Sequence, residues 1–201
     1  MTSILKADEI QDSSGNLIIK EVANAITIGA SGDTITIPSG ATITNSGTAT
    51  GFGGTTAPYV SVYRSGDQTI SDSTWTKIEF NAESVDSAGA FDSSTNYRYT
   101  PQTSGYYFVA LNVGIGTTVD NSIDRGKCKI YKNGAEITGA IATRDWDTVG
   151  INYNDQLNTS VIVTMNGSSD YIEGFLWVDI TSGTPRVESE QASMNIFKMT
   201  E

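Results

Sequence analysis

Carboxylates, tryptophans and a single thiol are the side chains of this chain that could do chemistry. Asp86, Asp92, Asp120, Asp124, Asp145, Asp147 and Asp155 fall in or near turns. Turn carboxylates and carbonyls are the donors that Ca2+ takes. EF-hand spacing is absent, and ordinary turn chemistry is the simpler reading, so metal binding stays open. Two carboxylates could hydrolyse a glycosidic bond only at a fixed separation across a cleft, which spacing along the chain does not supply. Cys128 is the one cysteine and the chain has no histidine. That excludes a thiol–imidazole pair and an intrachain disulfide, and Cys128 reads as a small buried hydrophobe. With no imidazole, the commonest proton shuttle at neutral pH is missing. The expectation is no enzyme and no cofactor, with Ca2+ the one ion the donors suit.

The tryptophans point to recognition or packing instead. Trp146, between two aspartates in TRDWDTVG, is expected on the surface. With Tyr97 it is the candidate for surface recognition, such as stacking on a sugar. Trp177 lies in an apolar run and is expected in the core or a subunit interface. Lys127, Lys129 and Lys132 form the one basic cluster, read as a solvated strand face or as partners for a neighbour's carboxylates. A formal charge of −11 argues against nucleic acid. No run approaches the length needed for a membrane-spanning helix, so no membrane insertion is expected. The first twenty residues lack a cationic stretch followed by an apolar run, so they do not read as a typical secretory leader.

The elements that would position these groups are strands. Gly, Thr, Ser, Asn and Asp are plentiful, Ile, Val and Tyr supply much of the apolar content, and no helical period is sustained. Residues 58–201 read as about ten short strands separated by turns, which is an all-β sandwich or jelly roll. Expected strands include 59–63, 75–80, 106–113, 125–131, 135–143, 156–165, 171–180 and 193–199. Ile78 and Phe80 are expected to face the core, with Trp75 on the other face or capping an end. Residues 81–90 read as a loop. Asn133-Gly134 and Asn166-Gly167 mark hairpin turns.

The strand at 106–113 is apolar on both faces. Tyr107, Val109 and Leu111 share one, Tyr106 and Phe108 the other. Such a strand is expected to be central, covered by the sandwich core within and a second subunit without. Phe175 and Trp177 in YIEGFLWVDI, and Phe197 in the last strand, join these as candidates for the core or a trimer interface.

Residues 1–50 read differently. Short Ile-Thr runs are punctuated by glycine, with Ile26 and Ile28 echoed by Ile35 and Ile37, and then by Ile43. Alternation makes one face apolar, and a segment this small cannot bury that face alone. Three readings are open: a small β-solenoid, an intertwined homotrimeric stem, and a linker with chance Ile-Thr pairs. The trimeric stem is favoured, with Ile26, Ile28, Ile35, Ile37 and Ile43 packing on its axis. Its first twenty residues are then a candidate attachment peptide. Residues 51–57 form a Gly-rich linker.

YVSVYRSGDQTISDSTWTKIEFN, FDSSTNYRYTPQTSGYYFVALNV, KIYKNG and the terminal SMNIFKM together resemble the globular heads of the complement C1q and tumour necrosis factor family. Most closely they resemble C1q-like modules of phage structural proteins. Asn81, Phe91-Asp92, Tyr99-Thr100-Pro101, Gly105, Tyr107 and Phe197 carry the match. The departures are Val109 where the pattern has Phe, no Gly beside Phe197, and a loose middle between 120 and 170. The resemblance implies a ten-stranded jelly roll, a homotrimer and a preceding trimeric stalk. The Ile-Thr segment resembles the amino-terminal parts of phage tail-fibre or head-fibre proteins. The two resemblances together imply a non-enzymatic virion structural protein on the capsid or tail surface. Its N-terminus would dock on a capsid or tail protein, and its head would contact a host glycan or outer-membrane component. The alternatives are a capsid knob with no receptor and a secreted bacterial C1q-like lectin.

Overall fold

The computed structural model describes residues 9–22, 25–29, 31–42, 57–146 and 154–200. The chain divides into two units, Met1–Phe52 and Gly53–Glu201.

In the first unit, β1 (Glu9–Gln11), β2 (Leu17–Val22) and β3 (Ala25–Ile28) form an antiparallel meander with β2 central. The β1–β2 turn is organised by Asp12. Its carboxylate accepts the Ser14 and Asn16 N–H groups at 2.8 and 2.9 Å and the Asn16 side-chain amide at 2.8 Å. These bonds, the Asn16 amide foremost, hold the Asp12 carboxyl below its usual range. Ile10 pairs with Ile19 and Ile19 with Ile28, so three isoleucines make one cross-strand row on one face. That row is open to water in the single chain, as is the neighbouring Ile26, which is 70% exposed.

Ile35 and Ile37 depart from the expected pattern. Residues 33–38 form no strand, and both side chains are exposed. Alternation alone does not make a strand. The segment pairs with no strand edge among the described residues, and Pro38 removes one ladder donor. Ile43 lies outside the described residues, as does nearly all of the 51–57 linker.

The second unit opens with β4 (Tyr59–Tyr63), β5 (Gln68–Thr69), β6 (Thr76–Lys77), β7 (Ala82–Asp86), β8 (Phe91–Asp92) and β9 (Arg98–Tyr99). The long strands β10 (Ser104–Thr117), β11 (Ile123–Lys132), β12 (Ala135–Asp145), β13 (Asn154–Asn166) and β14 (Ile172–Ile180) come next. β15 (Pro185–Val187) and β16 (Ser193–Thr200) close the chain.

Two sheets result. In the first, β10 is paired along one edge by β13 and along the other by β16 and then β15. β4 and β7 continue beyond β16, and β5 beyond β15. The second runs β12-β11-β14-β9-β8, with β6 also on β14. Tyr107, Val109, Leu111, Val113 and Ile115 of β10 are fully buried between the sheets. They meet Ile123, Cys128 and Ile130 of β11, Ile172, Leu176 and Val178 of β14, and Met194 and Ile196 of β16. Alternate residues of each strand face in, as a sandwich core requires.

The strand pattern is more broken than the ten strands expected. β5, β6, β8, β9 and β15 are only two or three residues long. Of the expected strand at 75–80 only Thr76–Lys77 pairs, although Ile78 and Phe80 are buried as expected. The stretch expected as a loop at 81–90 contains β7, an edge strand on β4. Its sequence, AESVD, has three polar residues in five and no apolar alternation, which makes it read as a loop.

Candidate interaction surface

The outward face of the first sheet is where register concentrates apolar side chains. Tyr59 pairs with Phe197, Phe197 with Phe108, and Phe108 with Ile162. One row therefore crosses β4, β16, β10 and β13 without a polar interruption. Tyr59 is 41% exposed, Phe197 46% and Ile162 56%. Tyr106 and Met199 lie exposed near this row. The next row is Ser61, Asn195, Ala110 and Ser160, and the one beyond is Tyr63, Ser193, Asn112 and Asn158. The face thus grades from a large apolar row to rows that, Tyr63 apart, are small or polar. A contiguous exposed apolar row rimmed by polar residues is the form an association surface takes.

The candidate interface residues of the sequence divide between three places. Tyr107, Val109 and Leu111 are sealed in the core of their own chain. Tyr106, Phe108 and Phe197 stand on the outward face just described. Phe175 and Trp177 are elsewhere, on the outward face of the second sheet. Phe175 stacks on Tyr131 with ring centres 4.1 Å apart, and the Lys127 ammonium sits 4.4 Å from the Trp177 ring centre. Tyr59, Ile162 and Met199 join the face only through the structure. A signal for Ile162 does exist in the sequence, since in SVIVTM it is the one apolar residue on the face it shares with Ser160 and Thr164.

Trp146 is not the open platform expected. Its ring lies over Gly126, where an added Cβ would stand 2.9 Å from it and 2.9 Å from Ile115. Its Nε1–H donates to Asp155 Oδ2 at 3.0 Å. The glycine makes room, and the ring packs against the core. Tyr97 has φ +48 and is half-buried, in the turn before β9. β9 and β12 are separated in their sheet by β14 and β11, so Tyr97 and Trp146 do not form one site.

Asp86, Asp92, Asp145 and Asp155 are engaged locally, whereas Asp120 and Asp124 are exposed. Asp86 accepts the N–H groups of Phe91 at 2.7 Å and Ala88 at 3.1 Å. Asp92 accepts those of Thr95, Asn96 and Ser94 and the Asn96 amide. These bonds, Thr95 first, hold the Asp92 carboxyl well below the carboxylate range. Asp145 pairs with Arg125, and Asp155 with Arg144 at 2.7 Å. Asp147 lies outside the described residues. Among the described residues no three His, Cys, Asp or Glu side chains converge as a metal site. Cys128 is fully buried, and burial pushes its thiol up to about 12. It carries negligible thiolate at neutral pH and is no nucleophile there.

No protein-family model matches the chain, and no curated protein matches it. Solved structures do. The structure of Eiger TNF from S. frugiperda is similar with a TM-score of 0.51 at 11% identity, over 72% of this chain and 94% of that one. At that identity the likeness is one of fold: the chain carries an all-β, TNF-like jelly-roll sandwich.

Proposed function

We propose that this chain is a non-enzymatic fibre or decoration protein of a virus particle that works as a homotrimer. The observation that carries the association is the row of Tyr59, Phe197, Phe108 and Ile162, continuous across four strands, with Phe108 half-buried and the other three exposed in a single chain. The exposed isoleucine row of the amino-terminal unit supports it independently. Two apolar surfaces, one in each unit, each gain by meeting copies of themselves. The virion role rests on the sequence resemblance to phage C1q-like modules.

In this reading the amino-terminal unit is the stem and docks on a capsid or tail protein. The head projects to the host surface. Three identical weak sites on one head gain avidity through high effective concentration, so no single deep pocket is required.

Immunogold labelling of intact particles tests the reading. Gold at fibre tips or capsid projections is expected. Absence of the protein from purified particles overturns the virion role. Label on particles, with no binding of the isolated trimer to host cells, favours the knob without a receptor.

A further inference from the structure

The amino-terminal sheet ends on β3, which pairs with β2 along one edge and with no described strand along the other. The Gly29 N–H donates to the Ile18 carbonyl at 2.8 Å. Bonded pairs alternate along an antiparallel ladder, so Thr27 and Ala25 turn their backbone groups to β2. The N–H and C=O groups of Ile26 and Ile28 therefore point to the open edge. Sheet edges are commonly guarded by charge. β1, the opposite edge, carries Glu9, but β3 reads Ala25-Ile26-Thr27-Ile28 and carries no charge.

A matching segment follows in the same chain. Residues 34–37 read Thr-Ile-Thr-Ile, uncharged and β-branched throughout, a composition that suits a strand. Among the described residues their backbone makes no backbone hydrogen bond and joins no sheet. All four side chains are exposed. The chain does turn between the two stretches, at Gly29 and Gly32, both with positive φ. Even so, residues 34–37 do not close onto β3 of their own chain. The open edge and the unpaired segment are thus both presented to other copies.

We infer that residues 34–37 of one copy add to the open edge of β3 in a second copy. With Thr36 opposite Thr27, Ile35 and Ile37 share a face with Ile26 and Ile28, whichever way the added strand runs. The row of Ile10, Ile19 and Ile28 then continues onto a fourth strand. A slip of one residue would turn the added isoleucines to the other face, so the pattern fixes this register. Pro38, with no N–H to give, stands where the added strand ends. Each chain gives one strand and offers one edge. Such a contact is heterologous, and three of them close a ring. The inference rests on the proposed homotrimer, for which it names the contact that joins the stems.

The test is disulfide trapping in the full-length protein. Thr27 and Thr36 are both exposed, so cysteine at either place disturbs little. Opposed across the added pair, their Cα atoms stand about 4.5–5.5 Å apart, within reach of a disulfide. Thr27→Cys and Thr36→Cys chains with tags of different mass are co-expressed and oxidised with diamide, which takes up the two thiol protons and two electrons. The native Cys128 is buried, and the wild type serves as its control. A linked band of mixed mass is expected on a non-reducing gel, with no linked band from either variant alone. An equal band from either variant alone overturns the pairing. In a chain carrying both substitutions, a disulfide closed within one chain shows that the segment folds onto its own β3 and overturns the inference. Absence of the mixed band in protein that sediments as a trimer overturns the inference and leaves the homotrimer standing. Absence of the band in protein that sediments as a monomer overturns both.

Discussion

Phe108 and Phe197 stand directly opposite each other on β10 and β16, with ring centres 5.2 Å apart and planes inclined by 34°. Such a tilted pair is favourable in itself, yet it lies on an outward face where a single chain leaves Phe197 46% exposed and Phe108 only half-buried. Tyr59 and Ile162 extend the pair on either side. Burial of this row against other copies is the simplest account of why four adjacent strands each place a large apolar group there.

Phe197→Ser should therefore weaken self-association without unfolding the head. Removing a central aromatic anchor costs roughly 2 kcal/mol or more in an interface, which is about thirtyfold in affinity. Light scattering across a dilution series measures it. An unchanged assembly with an unchanged melting temperature would count against this face as the contact.

Glycine at 167 is required, while glycine at 139 is only preferred. Gly167 has φ +73, and an added Cβ would lie 2.2 Å from the Ser104 backbone nitrogen. Gly139 has φ +84 with nothing within 4 Å of that position. Gly139→Ala should cost about 1–2 kcal/mol of backbone strain. Gly167→Ala should cost clearly more, because backbone must move as well. Denaturant titration of the two variants side by side gives the order, and equal losses would contradict it.

The jelly roll was legible in the chain because its central strands alternate cleanly and are apolar. Tyr107, Val109 and Leu111 point inward just as their spacing implies. β7 was not legible, since an edge strand written AESVD carries the polarity of a loop. The surface row was half legible. Tyr106, Phe108 and Phe197 come from alternation, but placing Tyr59 and Ile162 beside them takes strand register, which pairs residues far apart in sequence. Trp146 misled for a similar reason. Two flanking aspartates suggest exposure, whereas the space its ring fills is made by Gly126 on a different strand.

Acid should loosen the turns that Asp170 ties together. Its carboxylate accepts from Lys132 at 2.8 Å, from the Asn133 amide at 2.7 Å and from the Asn166 N–H at 2.9 Å, joining the β11–β12 and β13–β14 turns. The Lys132 bond is the largest cause of its lowered pKa. A carboxyl depressed in the folded state adds stability above its unfolded value of about 3.9, and loses it as pH falls through the folded value. Asp170→Asn should then be less stable than the wild type near neutrality, and the gap should narrow as pH falls below the unfolded value. Melting curves near neutrality and in acid check this; a gap of unchanged size in acid would contradict it.

Cys128 should resist thiol reagents in the native protein. Burial raises its pKa to about 12, and no side of it faces water. Dithionitrobenzoate at mildly alkaline pH should label it only after denaturant is added. Fast labelling of native protein would contradict the packing of β11 against the core.

Sedimentation equilibrium of the full-length chain at micromolar concentration addresses the central claim most directly. The account predicts a single species of three times the chain mass that survives dilution, because both the isoleucine row and the Phe108–Phe197 row are then covered. A stable monomer at the same concentration, with those rows left bare, would contradict it.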